Sequence, residues 1–391
     1  MHRLQEVLQK SNREQFSNAF TRSVLTKLSN CRSAKMGFHY YQCDDSNCNH
    51  LHYQYHGCKN RHCPTCNWQK QEQWQEARIN ELLPVKYFHV VFTVPHELNS
   101  LFLGNRTVLF KQLYDSASHS LLTLSADSKW LGAMPSISTV LHTWGQQLSF
   151  HPHLHCIVSG GGVDKDCNWV DLKKKTELGF LFPYNVMEPM FKKHFLRHVN
   201  KMIECGDIVL KDKSTWKPLK ELLYNKKWIV YAKSPMGNAS QVVEYLARYA
   251  HKVAISNHRI VNVTEEKVAF KYKDYADGNK TKTMELSINE FTRRFEQHIL
   301  PFRFVKIRHY GILGNFNRKK RINAILEKMK LPLHPEPVKV HYGLLLLEKF
   351  GVDITLCPKC KQGHLVLLNK VYPPNRGSPL QFKGWAVLLS N

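Results

Sequence analysis

The stretch His151-Pro152-His153-Leu154-His155-Cys156-Ile157-Val158, running into Ser159 and three glycines, Gly160 to Gly162, alternates as a β-strand does. Successive side chains of a strand point to opposite faces, so His151, His153 and His155 share one face while Leu154 and Cys156 take the other. Imidazoles two residues apart stand roughly 6.6 Å from each other and can converge on one ion; the first and third, roughly 13 Å apart, cannot. The strand therefore supplies two metal ligands. His153 and His155 are the expected pair, because Leu154 between them anchors the strand in a core, whereas Pro152 removes a ladder donor beside His151.

A third ligand has to come from a neighbouring strand. Ser138 to Gln146 (STVLHTWGQ) reads as the other arm of a hairpin. Two pairings, one opposing His153 to Gln146 and one opposing it to Trp144 with His155 facing His142, bring Gln146 and His142 to the metal face. Gln146 is the expected third ligand and His142 the alternative.

The chain has 391 residues, which suggests two to three domains. Its 56 Lys+Arg against 31 Asp+Glu give a net charge of +25, and the pI is near 9.6. Such an excess suits a polyanionic partner, and the basic residues are interleaved with Tyr, Phe and Trp as grooves for unpaired nucleic acid require. The N-terminal MHRLQEVLQKSNREQF lacks the apolar core of a signal peptide, and no run of about 18 apolar residues occurs anywhere. A soluble, cytoplasmic and nucleoid-associated prokaryotic protein without a membrane partner is expected. Neither G-x-x-x-x-G-K-[ST] nor G-x-G-x-x-G is present, so chemistry on nucleic acid should proceed without a nucleotide-driven motor in this chain.

Eleven cysteines in a reducing compartment point to metal rather than to disulfides. Cys43-x4-Cys48 and Cys58-x4-Cys63-x2-Cys66 offer five thiols for four places on a tetrahedral zinc ion. Cys43, Cys48, Cys63 and Cys66 are the expected ligands, with Cys58 and His62 as competitors. Cys357-Pro358-Lys359-Cys360 is half a zinc ribbon with no visible second half.

In chain order, residues 1 to about 37 have helical spacing, and Trp68 to Leu83 reads as a polar helix. Tyr87 to Val94 is a buried strand, Leu98 to Leu124 a long helical region, and the histidine hairpin follows. Residues 163–228 are lysine-rich and weakly patterned. Trp228 to Lys233 is a strand broken at Ser234-Pro235-Met236-Gly237, and Ser240 caps a helix from Gln241 to about His251 that carries Tyr245 and Tyr249 on one face. Strands over Ile260 to Val263, Val268 to Tyr272 and Thr283 to Leu286 precede a helix from Ile288 to about Leu300. Phe302 to Tyr310 alternates basic with apolar residues as a strand with one cationic face. Arg248, Lys252, Arg293, Arg294, Arg303, Lys306, Arg308, Arg318, Lys319, Lys320 and Arg321 are the candidate DNA contacts.

A metal held by two histidines plus Gln or His keeps open positions that can polarise a phosphate oxygen. A tyrosine hydroxyl, of reference pKa about 10, is a poor nucleophile alone, but a polarised phosphate with Arg248, His251 or Lys252 nearby would assist it. Attack would leave a phosphotyrosine and a free hydroxyl on the other DNA end, conserving the bond for later strand transfer.

His153-Leu154-His155 resembles the His-hydrophobe-His motif of the HUH endonucleases, and Tyr245-Leu246-Ala247-Arg248-Tyr249 resembles the tyrosine motif of their two-tyrosine rolling-circle transposases. Asn60-Arg61-His62-Cys63-Pro64, His142-Thr143-Trp144-Gly145-Gln146, Tyr231-Ala232-Lys233-Ser234-Pro235 and Arg308-His309-Tyr310-Gly311 narrow the resemblance to the insertion-sequence-ninety-one type, over about residues 35–315. The resemblance implies an α+β fold with an HUH-type antiparallel sheet flanked by helices and the tyrosine helix beside it, and an N-terminal zinc-binding domain. It also implies single-strand DNA cleavage through 5′-phosphotyrosine with Mg or Mn, on the ends of the protein's own element and a short target sequence. His153 and His155 carry over as ligands, Tyr245 and Tyr249 as nucleophiles. Tyr249-Ala250-His251-Lys252 further echoes the Tyr-x-x-Lys pattern of replication initiators, which favours Tyr249 if only one acts. The expected domains are residues 1–83 (helical, zinc-binding), 84–320 (catalytic) and 321–391 (C-terminal region). The alternatives are a plasmid replication initiator or relaxase, or a non-catalytic zinc protein that binds nucleic acid.

Overall fold

The computed structural model describes residues 3–12, 18–66, 81–172, 181–236, 241, 253–335 and 342–372. The strands are β1 (Phe38–Cys43), β2 (Leu51–Tyr55), β3 (Tyr87–Thr93), β4 (Met134–Trp144), β5 (Phe150–Val163), β6 (Trp169–Asp171), β7 (Ile229–Met236), β8 (Ile260–Val263), β9 (Lys267–Asp274), β10 (Lys280–Ser287), β11 (Ile307–Gly311) and β12 (Leu365–Val371). The fold is α+β, and its central sheet is antiparallel with strand order β11-β4-β5-β3-β7, β6 pairing with the far end of β5.

The alternation of β5 sets the two faces of this sheet. Leu154, Cys156 and Val158 enter the main apolar core with Val90 and Phe92 of β3. Two long helices, Arg106–Ala126 and Tyr184–Glu204, close that core through Phe110, Leu113, Ala117 and Leu121 from the first and Met187, Phe191, Phe195 and Val199 from the second. The second helix was hidden in the lysine-rich stretch. Its apolar residues recur every fourth position, but the interspersed lysines and Pro189 obscure the stripe. With the helices on one face, the other is left for the histidines.

A second core joins distant parts of the chain. Leu4, Val7 and Leu8 of helix Arg3–Lys10 and Val24, Leu25 and Leu28 of helix Ala19–Ser29 pack with Ile260, Val268 and Phe270 of the β8-β9-β10 sheet and with Phe291 and Phe295 of helix Ile288–Glu296. β12 returns to pair antiparallel with β1, Phe38 opposite Val371 and Cys43 opposite Leu365, in a sheet ordered β12-β1-β2. The chain thus crosses the expected divisions at residues 83 and 320 in both directions.

Two expected strand limits are corrected. β7 runs on through Pro235 to Met236, which is tolerable because, among the described residues, β7 lies at the sheet edge and pairs only with β3. The expected strand Phe302 to Tyr310 shortens to β11: Pro301 precedes it and Arg303 takes a left-handed conformation, φ 56°, which a ladder does not accommodate. Most of the expected helix Trp68 to Leu83 and all but Gln241 of the tyrosine helix lie outside the described residues. Among the described residues, no helix is long and apolar enough to cross a membrane.

Candidate metal centre and cysteine clusters

His142 of β4 stands directly opposite His153 of β5, and His155 stands opposite Val140. Neither expected hairpin pairing is realised. A register irregularity between His142 and Trp144 displaces the ladder, and the three imidazoles converge with their ring nitrogens within 4.8 Å of one another. Ring centroids lie 5.5 Å apart for His142 and His153, 4.5 Å for His142 and His155, and 4.9 Å for His153 and His155. That spacing suits one ion at the usual metal–imidazole distance of about 2.1 Å after small rotamer changes.

Gln146, the expected third ligand, is turned away. β4 ends at Trp144, and the turn that follows is closed by Gly145 N donating to Ser149 O at 2.9 Å. Beyond the strand, the Gln146 amide donates to the Tyr275 hydroxyl at 3.0 Å, and its oxygen accepts from Lys273 N at 3.5 Å. His142 occupies the position that the hairpin was expected to give to either residue.

The histidines are oriented from behind. Nδ1 of His155 lies 2.8 Å from Nε2 of His89 on β3, and Nδ1 of His153 lies 2.7 Å from the carbonyl oxygen of His151. Ligating histidines commonly use the second ring nitrogen in this way, which fixes tautomer and ring direction. Burial holds the His151 imidazole below its ordinary pKa. At the base of the hairpin, His298 is pushed down to about 4 by burial, its Nδ1 3.2 Å from Thr143 Oγ1 and its Nε2 3.1 Å from Leu148 O.

The cysteines do not assemble as expected. The set Cys43, Cys48, Cys63 and Cys66 is split between two clusters: Cys31, Cys58, Cys63 and Cys66 form one, and Cys43, Cys48, Cys357 and Cys360 the other. The cause is β1 and β2, which carry Cys43 and Cys48 to one end of their sheet, away from the Cys63-Pro64-Thr65-Cys66 knuckle. In the first cluster Sγ atoms lie 3.4 Å apart for Cys31 and Cys66, 3.7 Å for Cys31 and Cys63, and 3.9 Å for Cys58 and Cys66. A tetrahedral zinc thiolate with bonds of about 2.3 Å has sulfur–sulfur edges of about 3.8 Å, whereas a disulfide needs about 2.05 Å. Spacing does not point to Cys31, which stands alone in sequence, just past helix Ala19–Ser29, at no knuckle spacing from Cys58. His62 belongs to neither cluster; it is held down to about 3 by burial, and its Nε2 accepts from Leu300 N at 3.4 Å.

Several candidate DNA contacts have structural partners. Arg293 and Arg294 hold Glu290 at 2.6 and 2.7 Å, and Arg318 holds Glu81 at 2.9 Å. Arg321 donates to the carbonyls of Gly311, Ile312 and Phe316. Arg308 lies 4.2 Å over the Tyr114 ring and Arg303 5.1 Å over Phe302. Lys319 and Lys320 are exposed on the helix Arg318–Lys328. Lys306 lies 5.2 Å over the Trp144 ring, which itself stacks on His142 at 4.6 Å, so one cation stands close to the histidines. Arg248 and Lys252, like Tyr245 and Tyr249, lie outside the described residues.

Comparison with known proteins places this arrangement. Residues 137–321, which contain the histidine hairpin, match the family model described as "Putative transposase", and residues 3–94 match the one described as "Transposase zinc-binding domain". The chain is 36% identical to "Putative transposase y4qJ" of Sinorhizobium fredii, over 89% of this chain and 88% of that protein. It is 27% identical to "Transposase for insertion sequence element IS801" of Pseudomonas savastanoi pv. phaseolicola, over 86% of this chain and 81% of that one. No solved structure matches the chain. The class is therefore that of the DNA transposases, enzymes that cut DNA and transfer strands. Within it, the chain belongs to the transposases of the insertion-sequence-ninety-one type, with an N-terminal zinc-binding domain.

Proposed function

We propose that this transposase nicks and rejoins single-stranded DNA through 5′-phosphotyrosine intermediates, moving its own element by a rolling-circle route. The observation that carries the reading is the convergence of His142, His153 and His155 on the face of the sheet opposite the main core, inside the segment shared with transposases. These three side chains would hold a divalent ion, Mg or Mn, which when bound polarises the scissile phosphate. Tyr249 and Tyr245 are the proposed nucleophiles. Their spacing of four residues in the sequence would, on a helix, put them about 6 Å apart along one face, so that they could take the phosphate in turn.

The remaining roles fall to groups that bind and orient. Lys306, stacked beside His142 through Trp144, stands where it would neutralise a phosphate next to the scissile one. Lys319, Lys320 and Arg303, with Arg248 and Lys252 from the sequence reading, are the further proposed contacts to the phosphates of the strand. Arg293, Arg294, Arg318 and Arg321 are better read as structural, since carboxylates or carbonyls already engage their guanidinium groups. Cys31, Cys58, Cys63 and Cys66 would hold the structural zinc of the N-terminal domain.

The test uses labelled single strands bearing the ends of the element, incubated with the protein and Mg or Mn. A protein-linked DNA product in a denaturing gel supports the reading; absence of an adduct with intact, DNA-binding protein returns it to a non-catalytic role.

A further inference from the structure

The C-terminal Cys357-x-x-Cys360 pair lies outside the segments matched by the transposase and zinc-binding families, and it is not isolated in space. We infer that Cys43, Cys48, Cys357 and Cys360 form a second zinc site, one that clips the C-terminal segment onto the N-terminal sheet. The four Sγ atoms lie within 4.8 Å of one another, with Cys43 to Cys360 at 3.7 Å and Cys48 to Cys357 at 3.8 Å. Both cross-chain distances match the edge of about 3.8 Å expected for a zinc tetrathiolate, and both are far too long for disulfides.

The backbone is shaped for such a site. Cys357 N donates to Gly363 O at 2.8 Å, Lys361 N donates to Cys357 O at 2.9 Å, and Gly363 N approaches Cys360 Sγ at 3.4 Å, which folds residues 357–363 into a knuckle around the two sulfurs. A β-carbon on Gly363 would fall 2.5 Å from Cys43 Sγ, so only glycine permits this approach. On the other side, Asp44 N donates to His364 O at 3.0 Å and His364 N to Asp44 Oδ1 at 2.7 Å, and the β1–β12 ladder begins at Cys43 and Leu365.

An independent observation says that something other than apolar burial must hold this segment. Among the residues of this segment whose burial is described, 343, 344 and 346–372, only Cys357 and Gly363 are buried, while Leu344, Leu347, Phe350, Val366, Leu367 and Leu368 are all exposed. A three-stranded sheet with so little buried surface is marginal in water, and a metal that binds only the folded form contributes folding free energy directly. The site closes a loop of more than 300 residues between Cys48 and Cys357. The clip is independent of the tyrosine chemistry, and its failure would leave that reading untouched.

Zinc content of the full-length protein tests the site. Wild type should carry about two zinc ions per chain, and Cys357→Ser/Cys360→Ser about one, as should Cys48→Ser on the opposite side of the clip. In the C-terminal double variant, limited proteolysis should release the segment after residue 335 while the rest of the chain stays resistant. Should these variants fail to fold, alkylation of wild type keeps the question open to refutation. Cys43, Cys48, Cys357 and Cys360 should be protected while metal is bound and become reactive together on chelation. A wild-type content of one zinc, unchanged stoichiometry in the variants, iron in place of zinc, or separate reactivity of the two cysteine pairs would overturn the proposal.

Discussion

Nδ1 of His155 lies 2.8 Å from Nε2 of His89 on the adjacent strand β3, with the two rings within 9° of parallel. Ligation by Nε2 of His155 requires the proton on Nδ1, and His89 is then its acceptor. If the proton moved to the other side of that contact, His155 would present an N–H to the ion instead of a lone pair. His89 is a positioning residue on this reading. His89→Ala should weaken metal affinity about 10–100-fold, so that adduct formation shifts to higher Mn concentration and recovers at saturation. An unchanged metal dependence, or a loss that excess metal does not restore, would remove His89 from this role.

The third ligand is decided by comparing two substitutions. His142→Ala should abolish or severely reduce cleavage, whereas Gln146→Ala should cost less, because its amide is engaged with Tyr275 and Lys273 away from the cluster. Cleavage rates at fixed Mn concentration are the measurement. The reverse ranking would return the third ligand to Gln146.

Acid should destabilise the fold through His298. Its folded pKa, about 4, is depressed below the ordinary value by burial, so the folded state binds fewer protons than the unfolded one. Stability is therefore fully present above about pH 6.5 and falls as pH drops toward 4. His298→Gln, which offers an amide to Thr143 and Leu148, should flatten the fall in thermal midpoint between pH 6.5 and 5. An identical slope in the two proteins would exclude His298 as its source.

Gly311 ends β11 at φ +63°, and a β-carbon there would overlap the backbone oxygen of Pro135, far inside van der Waals contact. Gly311→Ala must displace β11 from β4 or move the main chain. The loss should exceed the roughly 1 kcal/mol usual for alanine in a left-handed position, and chemical denaturation would measure it. A neutral effect would mean that the β4–β11 edge yields freely.

The parts of the fold legible in sequence were those in which period and chemistry agree. His153-Leu154-His155 alternates strictly, and its two faces are the histidine cluster and the core, as its pattern requires. Register was not legible, because the irregularity after His142 depends on the turn at Gly145 rather than on any strand residue. The cysteine grouping was hidden for a different reason. Spacing reports which thiols can share a knuckle, but it carries no information about Cys31 or about a partner pair more than 300 residues away. Helix Tyr184–Glu204 shows the third kind of loss, an apolar stripe at Met187, Phe191, Phe195 and Val199 diluted by surface charge.

The central claim is that tyrosine attacks a phosphate held at the three-histidine site. Phenylalanine keeps the ring and removes only the hydroxyl, so Tyr245→Phe, Tyr249→Phe and the double variant isolate the chemistry. Covalent adduct with an end oligonucleotide, in Mn and in chelator, is the measurement. Each single variant should still form some metal-dependent adduct and be severely impaired in complete transposition, and the double variant should form none. Adduct in the double variant would place the nucleophile elsewhere, and adduct that persists in chelator or in His153→Ala/His155→Ala would contradict the metal site itself.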